Sequence, residues 1–188
     1  MNMKKLKKGE KGFTLIELII AILITGIVAS AITGTILYAL NVNFSTANRM
    51  TAVRQVRNVG FWVSPDVQMA RCVYPGGSSG FPLALNWTDW ANNDTHAVIY
   101  TLEDMSSGEF KVLKRKHYIE SELASTTIVA EYIDQAETSC VWECDCDCYW
   151  EEGCSNWADA QLTFTVTASV GGQNETREYE VKPRPGSQ

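Results

Sequence analysis

The chain has 188 residues, with 16 Lys and Arg against 22 Asp and Glu, for a formal net charge of −6. That acidic balance, with no basic stripe interleaved with aromatics, excludes a nucleic-acid groove. The two histidines, His96 and His117, sit in or beside expected strands with no nucleophile motif nearby, so the sequence reads as a non-enzyme that needs no cofactor.

The chain opens with Lys4, Lys5, Lys7, Lys8 and Lys11 and then runs into an apolar stretch. From Leu18 to Leu40 no residue is charged, a span of about 23 positions or about 34 Å of helix, enough to cross a bilayer core. A cleaved secretory signal carries a shorter apolar region. Arg49 is the first basic residue after the span, so the lysine bias keeps the N-terminus cytoplasmic and exports the rest. A plain anchor does not explain Glu17, because a carboxylate in an apolar span costs roughly 2.5–3.5 kcal/mol near mid-membrane. A cut between Gly12 and Phe13 would create an ammonium on Phe13, four residues before Glu17, within reach of that carboxylate.

The stretch "KGFTLIELIIAILITGIVA" resembles the class III signal of type IV prepilins and type II secretion pseudopilins, with Gly12 before the cut, Phe13 after it and Glu17 five residues into the mature chain. The resemblance implies that a prepilin peptidase removes residues 1–12 and N-methylates Phe13. It further implies that residues 13–40 serve first as a membrane anchor and then as the core of a filament. Glu17 would neutralise the terminal amine of a neighbouring subunit during assembly, although pairing with Phe13 of the same chain is also geometrically open. Implied partners are the peptidase, other pilin or pseudopilin subunits, an inner-membrane assembly platform and membrane lipid. Loss of the leader, with five lysines and one glutamate, would take the formal charge from −6 to −10.

Over residues 41–71 apolar positions Met50, Val53, Val56, Gly60, Val63, Val67 and Ala70 recur at three or four residues, with Arg49, Arg54, Arg57 and Gln68 off that stripe. This spacing predicts an amphipathic helix packed on its own domain. Pro65 predicts a kink or a restart capped by Ser64. The segment "MTAVRQVRNVGFWVSPDVQMA" is similar to J-type minor pseudopilins and W-type minor pilins.

Residues 72–188 read as one exported β-rich domain. After an expected linker, "YPGGSSGFP", the alternation of Val98, Tyr100 and Leu102 predicts a strand, and "DMSSGE" turns it into "FKVLKRKHYI". A strand follows at "TTIVAEYI", and "LTFTVTASV", "GGQN" and "ETREYEVK" form a hairpin. A long helix followed by antiparallel strands is an α+β fold, of the pilin-like kind that the resemblance implies.

Six cysteines, Cys72, Cys140, Cys144, Cys146, Cys148 and Cys154, are disulfide candidates, five of them inside the loop 140–154. In an extended segment Cys144, Cys146 and Cys148 share one face and Asp145 and Asp147 the other, so neighbouring cysteines at i and i+2 are poorly placed to bridge each other. A thiolate or carboxylate metal site is the alternative chemistry, although C-x-C-x-C departs from zinc-knuckle spacing. Two functions follow. One is a structural minor pilin or pseudopilin of a secretion pseudopilus or pilus, with the filament tip as its expected place. The other is a membrane-anchored binding or redox module built on the cysteine loop.

Overall fold

The computed structural model describes residues 12–89, 91–106, 108–143 and 160–183. Helix α1 (Leu15–Met69) is followed by strands β1 (Cys72–Gly76), β2 (Gly80–Thr88), β3 (Thr95–Asp104), β4 (Lys111–Ile119), β5 (Glu122–Ile133), β6 (Ser139–Glu143), β7 (Gln161–Val170) and β8 (Gln173–Val181). The chain divides into two units between Phe44 and Ser45.

In the first unit the helix is rich in Ile, Leu and Ala and presents its large apolar side chains outward. Leu15 is 77% exposed and Ile27 70%, and an 18-residue window of mean hydropathy 2.6 has none of its residues buried. Its hydroxyls return to the helix's own carbonyls. Thr25 donates to Ala21 at 2.7 Å, Ser30 to Ile27 at 2.8 Å, Thr33 to Ala29 and Thr35 to Ala31, both at 2.9 Å. Polar groups satisfied in this way do not need water, which is the condition for residing in hydrocarbon.

In the second unit the C-terminal part of α1 packs on an antiparallel sheet of order β1-β2-β3-β4-β5-β7-β6, with β8 on the other edge of β7. This is the α+β architecture expected from the sequence. Ala52, Val56, Val59, Val63 and Val67 are at most 1% exposed and meet Leu83, Leu85, Val98, Tyr100, Phe164 and Val166 in one core. Each buried valine contributes roughly 1.5–3 kcal/mol of burial free energy before ordering entropy. Gly60 lies on the same face, and a Cβ there would come within 2.3 Å of the Tyr179 ring on β8. The missing side chain lets that ring lie on the helix, where its hydroxyl donates to the Val56 carbonyl at 2.9 Å.

Several local expectations change. The helix runs through Pro65 without a restart at Ser64. An interior proline costs about 3 kcal/mol, and burial of Val63, Asp66 and Val67 around it holds the last turns helical. Met50, expected on the buried stripe, is 63% exposed, while Ala52 and Val59 are on the buried face instead. The expected linker is the turn region of a hairpin, with Cys72–Gly76 paired to Gly80–Asn86. The β7–β8 hairpin forms as expected, its two-residue turn made by Gly171 and Gly172 at φ of 54° and 77°. β4 and β5 are also joined by a two-residue turn, with Glu120 and Ser121 at φ of 51° and 70°. Glu120 holds that conformation through Thr95, accepting its N–H at 3.0 Å and donating to its carbonyl at 2.9 Å.

Candidate functional site

Thr14 precedes the first residue of α1, and its carbonyl accepts the Leu18 N–H at 3.2 Å. The backbone N–H of Glu17 donates to the Thr14 hydroxyl, and that hydroxyl donates to Glu17 Oε2, both at 3.4 Å. The sequence Thr14-Leu15-Ile16-Glu17 is thus of the capping-box type, with an acid in the first turn where the helix dipole favours it. The T-x-x-E spacing was a readable signal for this, and it gives Glu17 a local partner that the charge argument had missed. Contacts of 3.4 Å are long for hydrogen bonds, so the carboxylate is held loosely. Phe13 is 85% exposed, and a Cβ built on Gly12 meets no described atom within 4 Å. Packing within the described chain therefore does not require glycine at position 12.

At the other end of α1, Asp66 is 3% exposed and takes a bidentate pair from Arg115 on β4. Arg115 Nε donates to Oδ2 at 2.7 Å and Nη2 to Oδ1 at 2.9 Å. Tyr100 on β3 donates its hydroxyl to the same Oδ2, and the Arg115 guanidinium lies 5.3 Å from the centre of the Trp62 ring. Burial, followed by the Asp66 charge, pushes the Tyr100 hydroxyl well above the usual phenol range. Hydrogen bonding to Asp66 raises Arg115 further. The group clamps helix to sheet, and every polar member is satisfied. Nothing in the local sequence links residues 49 positions apart, so the clamp was invisible at that level.

His96 and His117 are half-buried on adjacent strands, as expected, and also meet: Nδ1 of His96 lies 3.0 Å from Nε2 of His117. One nitrogen must donate and the other accept. Burial, then the Arg115 charge and His96, lower the His117 pKa against a smaller opposing effect of Asp66. Trp87 stacks on His96, with planes 3° apart and centroids at 5.4 Å.

Cys72 is half-buried opposite Asn86, and Cys140 is buried opposite Phe164. Burial pushes the Cys140 thiol up to about 12, which leaves it a poor nucleophile. The Cys140 N–H donates to Ser79 at the turn of the β1–β2 hairpin, whereas Cys72 stands at the hairpin's open end. Four strand residues, about 13 Å, separate the two ends, beyond the 7 Å Cα limit for a disulfide. Cys72 and Cys140 are therefore not partners of each other, and among the described residues no disulfide forms. Cys144, Cys146, Cys148 and Cys154, and the acids between them, lie outside the described residues. Among the described residues no three His, Cys, Asp or Glu side chains gather into a metal site.

Residues 7–33 match the family model of the prokaryotic N-terminal methylation motif. The match contains Gly12, Phe13 and Glu17 and the start of the exposed apolar helix. No curated protein and no solved structure matches the chain. The matched motif leads a long N-terminal helix that packs on an antiparallel sheet, an α+β architecture as in pilin-like folds.

Proposed function

We propose that the chain is a structural subunit of minor-pseudopilin or minor-pilin type, of the J or W kind, acting in a secretion pseudopilus or a pilus, at its tip. The observation that carries the reading is the methylation motif at residues 7–33 joined to an apolar helix with none of its 18-residue hydrophobic window buried. A segment that can neither fold into its own domain nor tolerate water needs lipid or other helices around it. In this reading prepilin peptidase cuts after Gly12 and methylates Phe13. Residues 13–40 then hold the subunit in the inner membrane, with residues 41–71 and 72–188 outside the cytoplasm, until the assembly platform transfers it into the filament.

Glu17 supplies the switch between these states. Among the described residues its carboxylate meets Thr14 at 3.4 Å, and the ammonium of a neighbouring subunit is a stronger, charge-assisted partner. Exchange of Thr14 for that amine sets an incoming helix in register, and the work is positioning, with no catalytic step. Substitution at Gly12 tests the processing directly. Gly12→Leu should leave the described fold intact, because no described atom opposes a side chain there, yet yield a membrane-bound precursor about 12 residues too long. A normal-length product from that variant would refute the reading.

A further inference from the structure

The misplaced residue of the amphipathic helix opens a second surface. Met50, Arg54, Arg57 and Phe61 follow one another at four, three and four residues, so they line one face of α1 over about 16 Å. All four are exposed, Met50 by 63% and Phe61 by 73%, and with Arg49 and Val53 they border a groove along the helix. An acidic chain would be expected to neutralise its arginines. Yet among the described residues the ion pairs engage Arg49, at 3.9 Å from Glu175, while Arg54 and Arg57 have no carboxylate within 4 Å.

We propose that this stripe docks a different protein, one that presents two carboxylates between two apolar sockets about 16 Å apart. The composition argues for a protein partner: Met, Phe and Arg are enriched in interface cores, and Arg beside an aromatic is a common energetic anchor. The charge argues against a second copy placed face to face, since that would set Arg54 and Arg57 against their own equivalents. The groove thus selects for an acidic, heterologous surface. This goes beyond the filament reading, because it concerns which neighbour is accepted and requires no processing at Gly12.

The test uses the full chain in nanodiscs and a synthetic helical peptide with Leu at positions i and i+11 and Glu at i+4 and i+7, followed by fluorescence anisotropy. Binding should be about tenfold tighter than for the same peptide with Lys in place of Glu. The double variant Arg54→Glu, Arg57→Glu should reverse the preference, and Phe61→Ala should weaken the Glu peptide by about tenfold. Far-ultraviolet circular dichroism should be unchanged in every variant, as expected for exposed positions. Equal binding of the two peptides, self-association lost in the double variant, or arginine-dependent binding to phosphatidylglycerol vesicles in place of the peptide would each overturn the proposal.

Discussion

In the proposed reading Glu17 has two separable duties, and substitution distinguishes them. In the first turn of α1 its side chain accepts from the Thr14 hydroxyl, and in the proposed assembly step it needs a negative charge. Glu17→Gln keeps the first and removes the second, while Glu17→Val removes both and also relieves the membrane of a costly carboxylate. Both variants should insert at least as well as the native chain, and both should lose cross-linking to neighbouring subunits. Cross-links at native yield in Glu17→Gln would show that the charge is dispensable. Asp66 makes the opposite case, a buried charge whose duty is internal. Asp66→Ala leaves Arg115, 8% exposed, without its counter-charge, so chemical denaturation of the full chain in detergent should show a loss of about 3–5 kcal/mol. Asp66→Leu with Arg115→Met should recover most of it, since an apolar pair of similar volume replaces a buried ion pair with little loss. A loss below about 1 kcal/mol for Asp66→Ala would mean that the clamp does not hold the helix.

Helix α1 combines two kinds of helical surface. Its early part is apolar all round, and its later part buries one stripe, on Ala52, Val56, Val59, Val63 and Val67. The stripe was legible as a period of three and four, but its start was misplaced: at about 100° per residue Met50 points about 120° away from Val56, so Met50 is exposed while Ala52 and Val59 are buried. Gly60 lies on the buried face, under the Tyr179 ring. Gly60→Ala would raise helix propensity by about 1 kcal/mol. Here it should nevertheless destabilise by about 1–3 kcal/mol, through overpacking against the ring. In a Tyr179→Ala background the sign should reverse, and thermal denaturation of the four chains of this cycle reads the difference. Stabilisation by Gly60→Ala alone would show that the ring moves aside freely.

At the scale of the whole molecule, the fold class and most of the strands were legible because alternation and turn residues are local signals. The β7–β8 hairpin has both, in Leu162, Phe164 and Val166 and in Gly171-Gly172. The β4–β5 turn has neither Gly nor Asn, since Glu120 keeps its positive φ through bonds to Thr95, 25 residues away, and such a turn cannot be read from its own residues. The β1–β2 hairpin was hidden for a related reason: its Gly and Pro suggested a linker, yet they occupy the turn and the strand ends beside it. At the candidate site Gly12, Phe13 and Glu17 stood out because the motif is contiguous. Asp66, Tyr100 and Arg115 did not, because only tertiary packing brings α1, β3 and β4 together.

Processing as proposed removes the leader and keeps the apolar helix. Mass spectrometry of the chain recovered from membranes containing a prepilin peptidase reads both at once. The expected product begins at Phe13 with a methylated amine and still contains the Leu18–Leu40 span. A chain that retains Met1, or one cut on the C-terminal side of that span, would contradict it.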